Sequence, residues 1–197
     1  MRYILVFLFL ISSLFSFDKT HLQKLKETNS CIGCDLTNAN LSGLDLQKAN
    51  LSESDLSGAN ISLSNFAFGN FWGATLKNVK GINSNFRLAN FEGSIISNSN
   101  FEDSIFKAVR FQFSEISNTS FKNANLWDAL FQEATLNEVN MDGSRIAEAK
   151  FLENDLRTVS VKDVLGFKAV FEDSILNKEQ CENLKKENVV FKNTKCE

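Results

Sequence analysis

The sequence predicts an all-β solenoid, a chain wound on a five-residue repeat, and three observations carry that prediction. Apolar residues recur at every fifth position in one phase, as Leu36, Leu41, Leu46, Leu51, Leu56, Ile61, Phe66, Phe71 and Leu76. The phase holds again from Phe86 through Phe91, Ile96 and on to Val161; Gly81 and Gly166 depart from it, and Phe171 and Leu176 restore it. Two residues ahead of many of these stands a small one, among them Ala39, Ala49, Ala59, Ala89, Ser94, Ser99, Ser104 and Ala124. The 197-residue chain contains no proline.

A period of five suits neither ordinary element. On an α-helix such residues wander around the circumference, and on a flat strand they alternate between faces. The chain must therefore turn once per repeat. Residues two apart on an extended segment share a face, so the small and the large residue both point inward, and the intervening Asn40, Asp45, Asn50, Asp55, Asn60, Asn90 or Asn125 points out. Each repeat is one short side plus one corner. Proline is excluded because every coil donates its backbone N–H groups to the next.

The units Ala39-Asn40-Leu41-Ser42-Gly43, Ala49-Asn50-Leu51-Ser52-Glu53 and Ala59-Asn60-Ile61-Ser62-Leu63 resemble the A(D/N)LXX unit of the pentapeptide repeat proteins. The resemblance covers nearly all of the chain after its first segment. It implies a right-handed quadrilateral β-helix with four repeats to a coil, here about seven coils with short caps at both ends. Residues twenty apart should then stack, and they segregate by type. Leu51, Phe71, Phe91, Phe111, Phe131, Phe151 and Phe171 form one column, and Leu36, Leu56, Leu76, Ile96, Ile116, Leu136, Leu156 and Leu176 another. These are expected to be an aromatic ladder on one wall and an aliphatic ladder on the facing wall, in a rod roughly 34 Å long at the strand spacing of about 4.8 Å. Gly33, Gly43, Gly58, Gly73, Gly93 and Gly143 fall at corners, where turn geometry explains them. Gly81, followed by Ile82, is expected to mark a local bulge, either a dent or a tolerated decayed repeat.

The ends differ from the repeat. Arg2 precedes an apolar run from Tyr3 to Phe17, and charge resumes at Asp18 and Lys19, the layout of a signal peptide over residues 1–16 with cleavage near Ser16. The run is shorter than a bilayer span, so an anchor is the weaker alternative, and no Cys directly follows it as a lipoprotein would require. The chain is expected to be exported, periplasmic or extracellular, with no stable membrane anchor after cleavage. Residues 17–35 are expected to form an N-terminal cap with a short helix over Asp18–Thr28, capped by Asp18; residues 36–176 the β-helix; and residues 177–197 a C-terminal cap, with a helix over Lys178–Lys186 and a last strand at Val189-Val190-Phe191.

Four cysteines in an exported chain suggest disulfides, with three pairings open. Cys31 and Cys34 lie at one end of the rod and Cys181 and Cys196 at the other, too far apart for crossed pairs, so Cys31–Cys34 and Cys181–Cys196 are predicted. Cys31-Ile32-Gly33-Cys34 also matches the C-x-x-C of thiol oxidoreductases, a reading weakened because no helix is expected to start there. Zinc would need four ligands, and His21 with two Cys makes three. No cofactor or metal is expected.

Composition narrows function. The chain is 43% hydrophobic and 23% charged, a globular balance. Its 21 Lys+Arg against 24 Asp+Glu give a net charge of −3, without the basic excess that nucleic-acid binding calls for. The single histidine, His21, leaves no Ser/His or Cys/His pair, so the chain is not expected to be an enzyme. Glu133, Glu153 and Asp173 should stack as an acidic stripe, more naturally a solvated edge than a cation site. The best binding surface is a corner where outward positions are apolar. There Ala67-Phe68, Arg87-Leu88, Lys107-Ala108 and Trp127 give a strip edged by positive charge, the alternative being that a flank covers it. Trp72 with Phe113, and Ile95 with Ile105, are lesser candidates. The expected role is a scaffold or protein-interaction module whose partner is an unidentified protein or envelope component, with homodimerisation open. The resemblance also raises gyrase inhibition by DNA mimicry, which needs a cytoplasmic, strongly acidic rod; thiol–disulfide exchange through Cys31 and Cys34 is the third alternative.

Overall fold

The computed structural model describes residues 19–197, so the signal-peptide segment and the Asp18 cap lie outside the described residues. From Ser30 the backbone winds as a four-sided parallel β-helix in which each residue pairs with the one twenty ahead, as Ser30↔Asn50, Asp35↔Asp55, Asn40↔Asn60 and Asp45↔Asn65. The same step runs to Ile175 and Leu176, about seven coils. The ladder thus begins one repeat ahead of Leu36, and Cys31 and Cys34 belong to the first coil.

On two sides the pairing broadens into short strands. Strands β1 (Thr75–Lys77), β2 (Ile95–Ser97), β3 (Glu115–Ser117) and β5 (Thr135–Asn137) form one parallel sheet, and β4 (Leu130–Gln132), β6 (Lys150–Leu152), β7 (Val170–Glu172) and β9 (Val190–Lys192) another. A pair, β8 (Ile175–Leu176) with β10 (Lys195–Cys196), closes the far end. β4 and β5 are five residues apart, so these two sheets occupy consecutive sides that meet at a corner. This corrects the expectation of facing walls: the phenylalanine and aliphatic columns are neighbours, and facing columns are ten residues apart, as in the 5.9 Å contact of Phe111 with Phe121.

The inward column residues are buried along the whole rod. Most successive rings of the aromatic column stack nearly parallel, with centroids 4.9 Å apart for Phe131–Phe151 and for Phe151–Phe171, while Phe91–Phe111 is tilted by 30°. A second aromatic column, Phe66, Phe86 and Phe106, meets the first edge-on, so the middle coils hold a continuous ring cluster.

The corners explain the rest of the repeat. The residue two after nearly every large one adopts a left-handed conformation, not only at the corner glycines but also at Asn38, Leu63, Phe68, Leu88, Asn98 and Phe113, Thr158 being an exception. A single left-handed residue is tolerated best by Gly and Asn. The outward Asn or Asp holds the turn, its Oδ1 accepting the N–H two residues on, as Asp35 from Thr37 and Asp55 from Ser57. Adjacent coils add an amide ladder, Asn65 Nδ2 donating to Asp45 and Asn85 Nδ2 to Asn65 at 3.0 Å.

Gly81 holds no bulge. Its N–H donates to Asn100 O at 2.8 Å in unbroken register. A Cβ built there would stand 2.6 Å from the Phe101 ring, which fills the space a central side chain normally takes. The apparent decay in one coil is compensated by bulk in the next.

Most of the small inward serines find hydrogen-bond partners. Ser104 Oγ donates to Gly81 O at 2.7 Å and accepts the Ser84 N–H at 2.9 Å. Ser144 Oγ, equally buried, has no partner among the described residues. Ser144→Ala is therefore expected to be neutral or stabilising by up to about 1 kcal/mol, whereas Ser104→Ala should cost about 1–2 kcal/mol in urea unfolding.

Both ends are covered in part. Helix α1 (Lys19–Thr28) seats Leu25 against the first coil. Helix α2 (Lys178–Lys185) replaces one side of the last coil, with Asn177 as its cap in a reciprocal capping box with Gln180. Gln180 Nε2 also donates to the carbonyls of Leu156, which already accepts the Val159 N–H, and of Val159, at 2.7 and 2.5 Å, where no further coil follows. Strand β10 follows the expected last strand and was not foreseen. No helix among the described residues is long and apolar enough to cross a membrane.

Candidate functional site

Cys31 pairs with Cys34 and Cys181 with Cys196, at Cα separations of 5.4 and 6.1 Å. Cys31 and Cys34 are buried in the first coil. Their segment follows the C-terminus of α1 and starts no helix, so no helix N-terminus favours a thiolate there. The pair closes a coil and offers no accessible nucleophile.

The acidic stripe is present on one corner, with Glu133 and Glu153 exposed in the wall of an open groove of about 930 Å³ that Asp155, Arg157 and Thr158 also line. The Arg157 guanidinium bonds the Asp155 carboxylate at 2.6 Å and holds that carboxyl below its ordinary pKa. Asn193 Nδ2 donates to Asp173. These carboxylates are exposed and spread along the rod, and among the described residues no group of three His, Cys, Asp or Glu is placed to hold a metal ion.

The predicted apolar strip lies on the corner that follows the Leu46–Phe66–Phe86–Phe106 column. Phe68 and Leu88 sit at left-handed corner positions and are 45% and 42% exposed, so no flank among the described residues covers them. Positive groups lie on the rings: the Arg87 guanidinium is 5.7 Å from the Phe68 centroid and the Lys107 ammonium 3.9 Å from that of Trp127. Ile105 belongs to this side, while Ile95 projects from the opposite one, which separates those two lesser candidates. Trp72 and Phe113 are exposed on the next corner, two coils apart.

The strip continues beyond Trp127. Exposed Leu165 and Phe167, with Arg145 and Ala147 between, line an open groove of about 470 Å³ together with Lys107 and Trp127. The signal for this extension was in the sequence, because 145 and 165 follow 125, and 147 and 167 follow 127, at the same step of twenty.

A parallel solenoid of four repeats per coil, with an uninterrupted core and its exposed side chains set in rows, belongs to the class of solenoid repeat proteins. The pentapeptide repeat model of eight copies matches residues 30–66 and 59–98, and the pentapeptide repeat region model matches residues 84–161. The chain belongs to the pentapeptide repeat family. Members of this family are generally structural or interaction proteins and not enzymes. Among solved structures, HetL, a pentapeptide repeat protein involved in heterocyst differentiation regulation from the cyanobacterium Nostoc sp. strain PCC 7120, is 18% identical at a TM-score of 0.50, with 88% of this chain and 90% of that one covered. Rfr23 from the cyanobacterium Cyanothece 51142 is 17% identical at a TM-score of 0.29, covering 87% and 97%. Trypsin-treated QnrB1, a plasmid-mediated fluoroquinolone resistance protein, is 15% identical at 0.34, covering 82% and 88%. None of the curated proteins compared matches the chain.

Proposed function

We propose that this chain is a non-enzymatic, extracytoplasmic interaction module that docks a protein partner along the corner running from Phe68 and Arg87 through Leu88, Lys107 and Trp127 to Phe167. The observation that carries the reading is the apolar row itself. Left-handed corner positions, held mostly by Asn, Asp, Glu or Gly along the rod, here expose Phe68 and Leu88, and the position just before the left-handed Lys168 exposes Phe167, with cations laid over the Phe68 and Phe167 rings. Rows of this kind, held on a rigid core, keep their spacing without ordering cost on binding. The four cysteines paired at the two ends suit an oxidising compartment, which supports export to the periplasm or beyond.

The double variant Phe68→Ser, Leu88→Ser tests the surface. Both side chains leave exposed corner positions, so unfolding free energy should change by no more than about 0.5 kcal/mol. Capture of envelope proteins by the immobilised rod should fall sharply. A large loss of thermal stability would instead make the pair structural. Cell fractionation tests the compartment, the expected result being a processed protein outside the cytoplasm.

A further inference from the structure

We infer that Ala147, lying between Trp127 and Phe167, marks a socket that accepts one aromatic side chain of a peptide segment carrying a carboxylate beside that ring; this rests on the interaction-module reading above. Inside the rod, rings one coil apart stack at 4.9 Å. On the outer row of this corner the same step carries Trp127, Ala147 and Phe167. The backbone positions that carry the two rings are therefore two coils, about 9.6 Å, apart. A ring entering above the Ala147 methyl would occupy the missing step, at the spacing the interior ladder uses. The groove of about 470 Å³ found here is lined by all three residues and by Leu165. Phe167 and Leu165 are 54% and 56% exposed, the most open large apolar groups of this corner.

Charge sets the rest of the ligand. Lys107, one coil before Trp127, covers one ring face from 3.9 Å. Among the described residues the Arg145 guanidinium on the same wall has no side-chain hydrogen bond, and the ion pairs there, Arg157–Asp155, Lys185–Glu182 and Lys192–Glu172, leave both Lys107 and Arg145 without a carboxylate partner. Glu187 lines the far end of the groove, so the carboxylate should lie on the Lys107 and Arg145 side of the inserted ring. An anionic membrane fits less well, since a flat surface has no use for a recess one side chain wide and Asp128 and Glu148 flank the row.

The test uses the Trp72→Phe protein, in which Trp127 is the sole remaining tryptophan. Its emission is followed while end-blocked Gly-Asp-Phe-Gly, Gly-Asp-Ala-Gly and Gly-Asn-Phe-Gly are added into the millimolar range. The Asp-Phe peptide should give a saturable change. Binding should weaken about tenfold with the Asn-Phe peptide or with Arg145→Ala. Ala147→Phe, which fills the socket with the chain's own ring at an outward position, should abolish binding and leave the melting temperature unchanged. Equal binding of the Asp-Ala peptide, undiminished binding by Ala147→Phe, no saturable response, or a response only to anionic phospholipid vesicles would each overturn the socket. Envelope capture separates this proposal from the one it rests on. Capture that survives Ala147→Phe but is lost with Phe68→Ser, Leu88→Ser removes the socket alone, and capture unaffected by either removes both.

Discussion

Phe86→Ala should lower the unfolding free energy by about 3–5 kcal/mol, the range for removing a fully buried ring from a core that cannot collapse around the gap. Phe86 touches five other rings, as many as Phe106 does. It stacks on Phe66 and Phe106 at 5.5 and 4.7 Å and meets Phe71, Phe91 and Phe101 edge-on at 5.9, 5.6 and 5.8 Å. Its backbone is fixed on both sides, by Phe86 N–H to Ile105 O and by the preceding coil through Phe66 N–H to Asn85 O, so relaxation cannot close the void. The contrast is Phe113, a ring of equal size at an exposed corner, whose replacement by Asn should change stability by no more than about 0.5 kcal/mol. Urea unfolding monitored by circular dichroism measures both. A Phe86→Ala cost near that of the Phe113 variant would mean that the rings do not interlock as described.

The Cys181–Cys196 bridge should contribute more stability than Cys31–Cys34. A loop of 15 residues is worth about 3 kcal/mol in chain-entropy terms, and a loop of three roughly half that. The C-terminal bridge also fastens α2 to β10, and with α2 go Gln180, which donates to two carbonyls, and Leu184, which is fully buried. Cys181→Ser with Cys196→Ser should thus lower the melting temperature more than Cys31→Ser with Cys34→Ser, and should speed amide exchange first in Leu156–Val159. The reverse order would show that the N-terminal coil is the weaker end.

Much of this architecture was legible because a five-residue period leaves little choice. Phase, column composition and the separation of the two cysteine pairs follow from counting along the chain once the resemblance to pentapeptide repeat proteins supplies four repeats to a coil. What escaped the reading were relations between columns. The phenylalanine and aliphatic walls were expected to face each other, yet a chain that turns a corner every five residues makes consecutive columns neighbours. Gly81 read as a defect because its compensation, the Phe101 ring, lies twenty residues away. The outward Asn and Asp read only as solvent-facing, whereas their Oδ1 atoms hold the turns through local bonds that no periodicity displays. Phe68 and Leu88 were legible because they break a polar pattern; Leu165 and Phe167 break it too, in a coil whose central residue is Gly166, where the repeat is least regular. Gly166 is itself explained by the cap, since a Cβ there would stand 3.0 Å from Val189 Cγ1.

The most direct measurement of whether this rod acts through one corner is photocrosslinking in living cells. A photoreactive amino acid replaces Leu88 in one strain and Asn118, exposed at a left-handed position on a different corner, in another. The account expects a discrete crosslinked partner from position 88 and none from position 118. Equal adducts from both positions, or none from position 88, would contradict it.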